Sequence, residues 1–82
     1  MPTTMLNVER VDHSRYTGKM GSSIDDYLVT GIEQGAYTEQ FHTTSVFMAA
    51  VCQRGKDLQK PVSVLWRDHR AGKTIVDVEL TA

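Results

Sequence analysis

The segment Arg67-Asp68-His69-Arg70-Ala71-Gly72-Lys73 holds the densest group of cations in the chain. Guanidinium groups at this spacing grip a phosphate or a partner carboxylate bidentately. A solvated turn kept polar by charge is the plainer reading, since charged edges also suppress unwanted strand pairing. Lys19 and Arg54 extend the candidate partner- or anion-binding set to Arg67, His69, Arg70, Lys73, Lys19 and Arg54.

Other chemistry is thinner. His13, His42 and His69 lie far apart, and none shows metal-ligand spacing, so no metal site and no cofactor is expected. In Asp12-His13 and Asp68-His69 the two residues are sequence neighbours, which a strand turns to opposite faces. Neither is a base with its orienting carboxylate. Cys52 lies in the apolar run Val46-Phe47-Met48-Ala49-Ala50-Val51-Cys52, where cysteine acts as a small hydrophobe and not as a nucleophile. No catalytic residue is assigned, and the expectation is a non-enzymatic protein. Thr17-Gly18-Lys19-Met20-Gly21-Ser22-Ser23 precedes a predicted helix and offers amides to an anion. Its lysine precedes the second glycine, and Asp25 and Asp26 oppose a phosphate, so a flexible loop with a serine cap is the preferred reading.

These residues need elements to hold them. Val62, Val64 and Trp66 alternate with polar positions, as do Thr74, Val76, Val78 and Leu80, which predicts a hairpin from Val62 to Leu80. A loop at Arg70-Ala71-Gly72 pairs Val62 with Leu80, Val64 with Val78 and Trp66 with Val76, with Gly72 taking the positive-φ position. Trp66 then faces inward, while Arg67, His69 and Lys73 share the outward face. Tyr16 is the exposed aromatic.

Upstream, Leu6 and Val8 mark a short strand over Met5 to Val11, and His13 to Gly21 reads as a polar loop. Ile24, Tyr27, Leu28, Gly31 and Ile32 recur at spacings of three and four, predicting a helix capped by Ser22 or Ser23 and stopped at Gly35. Gly31 marks a close approach of a neighbouring element. Residues 36–42 read as a short connection, although Tyr37, Glu39 and Phe41 also keep strand spacing. A second helix, apolar nearly all round, runs from Thr43 or Thr44 to Arg54 and stops at Gly55. The expected architecture is α+β, in β-α-α-β-β order: a small, mostly antiparallel sheet with two helices packed on one face and a C-terminal β-hairpin.

Residues 1–82 form a single domain with no internal boundary. The hydrophobic share of 40% excludes intrinsic disorder. One cysteine excludes an intrachain disulfide, and neither a signal peptide nor a membrane span is visible, so the cytoplasm is the expected compartment. A net charge of −1 speaks against a general polyanion binder. The charge is uneven: residues 1–40 carry three Lys/Arg against six Asp/Glu, and residues 41–82 carry six against four. Small size favours a homo-oligomer, a homodimer being the simplest. The expectation is a small protein-binding module, an adaptor or an inhibitor of a cellular or host protein, docking its cationic hairpin tip on an acidic surface. The alternative is a nucleic-acid or phosphorylated small-ligand binder using the same basic surface.

Overall fold

Two antiparallel reversals carry the chain from Thr3 to Thr43 as three consecutive strands in a computed structural model that describes residues 1–70 and 72–81. Strand β1 spans Thr3–Thr17, β2 Ser23–Glu33 and β3 Tyr37–Thr43. Helix α1 spans Val46–Leu58, and β4 (Val62–His69) and β5 (Gly72–Leu80) form the terminal hairpin. The sheet closes into a barrel in the order β1-β2-β3-β5-β4. The antiparallel β1–β4 pairing runs from Thr3↔Leu65 to Leu6↔Val62, and β3 meets β5 in parallel at Phe41↔Lys73 and His42↔Thr74. The expected two-helix α+β sheet is therefore replaced by a five-stranded barrel with one helix.

The stretch read as the first helix is β2. Adjacent Val29 and Thr30 are both buried, so this strand is covered on both faces and loses the period-two signature of a half-buried strand. What remained visible was an accidental three-and-four spacing. The β-branched residues Ile24, Val29, Thr30 and Ile32 favour the extended form. Gly31 does mark a close approach, on a strand: a methyl built there stands 2.6 Å from the Asn7 carbonyl oxygen and 2.7 Å from Leu6 Cγ.

Residues 36–42 are strand β3, entered through Gln34 (φ 44) and Gly35 (φ 75), with the Ala36 amide donating to the Glu33 carbonyl. His13 to Thr17, read as loop, continues β1, which begins two residues before Met5 and runs six beyond Val11. Only Gly18–Ser22 is a turn, so the Thr17–Ser23 segment precedes a strand and not a helix N-terminus. A bulge at Glu9, where the register passes from Val8↔Gly31 to Arg10↔Thr30, keeps Leu6, Val8 and Val11 on the inner side as the strand bends.

Helix α1 starts two or three residues later and ends four residues later than its sequence pattern implies. Ser45 caps it, its Oγ accepting from the Met48 amide, and Gln59 closes it in the αL conformation. Gly55 lies inside the helix because a methyl there stands 2.5 Å from Val62 Cγ1. Its expected role as a stop is corrected: it lets the helix lie against β4. Only the Ala49, Cys52 and Gly55 side of α1 is buried, and Phe47 is 82% exposed, so the helix plugs the barrel on one face and does not run through its centre.

The core is Leu6, Val29, Phe41, Cys52, Val62, Val64, Ile75 and Val78. Cys52 behaves as the small hydrophobe expected, and burial pushes its thiol up to about 11. In the hairpin, Val62↔Leu80 and Val64↔Val78 pair as predicted, but Trp66 pairs with Ile75. Val76 is the extra residue of a bulge and is 37% exposed, while Ile75 takes its place inside. Trp66 lies at the core edge: its Nε1 donates to Thr4 Oγ1 at 2.9 Å, and its ring tilts against Phe41. His69 pairs with Gly72 (φ 125), which shortens the turn expected at Arg70-Ala71-Gly72; Ala71 lies outside the described residues.

Candidate functional site

The bulge at Val76 shifts the parity of the hairpin tip and divides its cations between two faces. Arg67 pairs with Thr74 and His69 with Gly72 on the outer side, while Lys73 falls on the Trp66 side. Lys73 Nζ is bonded to Glu39 and stands 4.6 Å from the Trp66 ring centre and 5.8 Å from that of Phe41. The expected common outward face of Arg67, His69 and Lys73 is therefore corrected. Lys73 is a half-buried ion-pair partner, satisfied within the fold.

Arg67 and His69 line a cleft of about 430 Å³ on the outer face of β2, β3, β5 and β4. Tyr16, Asp26, His42, Thr43, Thr44 and Thr74 complete its walls. The register explains the grouping. His42 is paired with Leu28 on one side and Thr74 on the other, and Thr74 is paired with Arg67. Asp26, two residues from Leu28, lies on the diagonal that side chains of this length span.

The His42 ring bonds that carboxylate, Nδ1 to Oδ2 at 3.1 Å. An ionised carboxylate only accepts, so Nδ1 carries the proton and Nε2 is left as the basic nitrogen. A methyl built on Gly72 stands 3.8 Å from His42 Nε2, and Gly72 is the cross-strand partner of His69. Both rings thus line one cleft, His42 from β3 and His69 from β4, with β5 between them. Both carboxylate and imidazole are half-buried, which strengthens their bond over a fully solvated one.

A second histidine pair lies on the other face of β2. His13 Nε2 bonds Asp25 Oδ1 at 2.8 Å, Arg15 Nε donates to the same oxygen at 2.9 Å, and the His13 ring stacks on Tyr27 at 4.7 Å. The hydrogen bond from His13, followed by that from Arg15, holds the Asp25 carboxyl below its ordinary value of 3.8. The adjoining groove, lined by Val11, Tyr27, Val46, Ala49 and Ala50, is apolar and offers this cluster no further polar partner except Gln53.

Of the six residues proposed from sequence, the structure brings Arg67 and His69 together and sets Arg70 at the end of β4 beside them. Lys19 lies in the β1–β2 turn, and Arg54 lies exposed on α1, outside the cleft lining. Sequence reasoning missed Asp26, His42 and Thr74, and it identified Tyr16 only as an exposed ring. Among the described residues no group of three metal-ligating side chains occurs, and no helix is long and apolar enough to cross a membrane. No family model matches the chain. No curated protein and no solved structure matches it either.

Proposed function

We propose that the chain is a nucleic-acid-binding module that lays a single strand across the Tyr16–His42–Arg67–His69 cleft. The observation that carries this reading is the place of the cleft in the barrel. The strand order β1-β2-β3-β5-β4, with the helix between β3 and β4, is the arrangement of the OB fold. Barrels of that kind take oligonucleotides on the β2–β3 face between the β1–β2 and β4–β5 loops. The cleft occupies this position, and fold analogy supplies the polymer while the side chains supply its chemistry. Tyr16, His42 and His69 offer flat rings on which bases stack, and Arg67 offers a fork for a phosphate. Lys19 and Arg70, in the two flanking turns, add charge at either end.

Docking on an acidic protein surface loses Lys73 to Glu39 and Arg54 to a separate element, so the cleft supports the nucleic-acid reading better. With Arg67 as the cation of its lining and Lys19 and Arg70 at its ends, the cleft makes few phosphate contacts, and a shallow salt dependence is expected. Fluorescence anisotropy with a labelled 2′-O-methyl RNA of about 12 nucleotides tests this. Saturable binding is expected at low salt, weakened about tenfold by Arg67→Glu and by Tyr16→Ala, consistent with one lost contact each. Absence of binding, or variants that bind as the parent does, overturns it.

A further inference from the structure

We infer that the cleft also cleaves RNA, by transesterification at the 2′-hydroxyl, with His42 as general base and His69 as general acid. The inference rests on the single-strand reading above and adds the chemistry of the two rings. A general base of this kind needs one tautomer held, with its second ring nitrogen free. The Asp26 bond to Nδ1 does this for His42 and leaves Nε2 able to take a proton. The Nε2 edge of His42 stands at contact distance from a methyl built on Gly72, Gly72 is paired with His69, and both rings line the same cleft, with His69 on β4 two strands from His42 on β3. Arg67, which lines the same cleft, is a permanent cation for the negative charge that builds on phosphorus oxygens during attack.

The step balances with protons alone. The ribose O2′ proton passes to His42 Nε2 as the O2′–P bond forms. The P–O5′ bond breaks, and the departing O5′ takes a proton from the protonated His69 ring. The products are a 2′,3′-cyclic phosphate and a 5′-hydroxyl end, and the two histidines are left with exchanged protonation. Tyr16 holds a base by stacking, and the Thr44 and Thr74 hydroxyls are available to the sugar and phosphate. Asp26 is a positioning residue: Asp26→Asn offers an amide donor to Nδ1 and so favours the unproductive tautomer.

The test incubates the full chain with a single-stranded RNA of mixed sequence, with and without a metal chelator, beside DNA and 2′-O-methyl RNA of the same sequence. The expected result is RNA cleavage to 2′,3′-cyclic phosphate ends that persists with the chelator, while the other two strands stay intact. His42→Ala and His69→Ala are expected each to slow cleavage about 10²- to 10⁴-fold. Asp26→Asn is expected to lower kcat at least ~10²-fold while KM stays within about twofold. Intact RNA, cleavage abolished by the chelator, or cleavage unchanged by His42→Ala overturns the inference. Anisotropy with the 2′-O-methyl strand separates the two readings: binding without cleavage ends this inference alone, whereas no binding ends both. Circular dichroism of each variant guards against mistaking an unfolded chain for an inactive one. Should His42→Ala unfold, His42→Gln carries the same test.

Discussion

Asp25 and Asp26 are adjacent on β2 and serve opposite faces of it. Asp25 bonds His13 on β1, and Asp26 bonds His42 on β3. Each histidine is offset by two residues from the position directly across from its aspartate, since His13 pairs with Tyr27 and His42 with Leu28. One dipeptide therefore orients two imidazoles in two different surroundings, an arginine-shared pair beside an apolar groove and a pair in the polar cleft.

The Asp25 pair makes stability depend on pH in one direction. Its carboxyl is held below 3.8 when folded, by His13 first and Arg15 second, and the unfolded chain takes up the proton at the ordinary value. The contribution is complete above 3.8 and fades as pH falls through the folded value. Denaturant titrations of the parent and Asp25→Asn are expected to converge as pH is lowered below that point. A carboxyl NMR titration that places Asp25 above 3.8 contradicts the assignment.

Lys73 is predicted to matter for folding and not for the cleft. Lys73→Met leaves Glu39, whose side chain is 19% exposed, without its cation, and is expected to lower stability by about 1–3 kcal/mol. Oligonucleotide affinity stays unchanged. Loss of affinity with full stability places Lys73 back among the ligand contacts.

Gly31→Ala and Gly55→Ala are both expected to destabilise, and for the same reason. Each new methyl meets an atom within 2.6 Å, the Asn7 carbonyl oxygen in one case and Val62 Cγ1 in the other. The cost is roughly 1–3 kcal/mol by crowding. At Gly55 it is offset by up to ~1 kcal/mol of helix propensity, so Gly31→Ala is the more damaging by thermal melting.

Cys52 is fully buried, with its thiol at about 11, so a thiol reagent at pH 8 is expected to label it only as fast as the chain opens. Labelling that is rapid and unaffected by denaturant excludes its place in the core.

The terminal hairpin was legible as far as its apolar alternation runs. Val62↔Leu80 and Val64↔Val78 follow from it directly. The bulge at Val76 does not, because one extra residue leaves no mark on a Val-Asp-Val sequence, yet it turns Lys73 away from Arg67. The β1–β2 arm had a signal that composition hides: Arg15 stands directly opposite Asp25, a charge-matched rung on either side of the Gly18–Ser22 turn. His42 and Asp26 join only through the β2–β3 register. A residue offset of sixteen along the chain says nothing of this until both segments are known to be strands. The rule that neighbouring Asp-His residues on a strand face apart did hold, and the carboxylates that matter come from across the sheet.

Among the described residues, β3 and β5 are stitched by two rungs, Phe41↔Lys73 and His42↔Thr74, whereas β1 and β2 share a long ladder. The cleft straddles this narrow seam, with His42 on one bank and Thr74 and Arg67 on the other. An occupant seated there spans the shortest ladder between these strands, so its binding free energy adds to the hold of that seam. Amide protons along that seam are accordingly the ones whose exchange slows most when the cleft is filled.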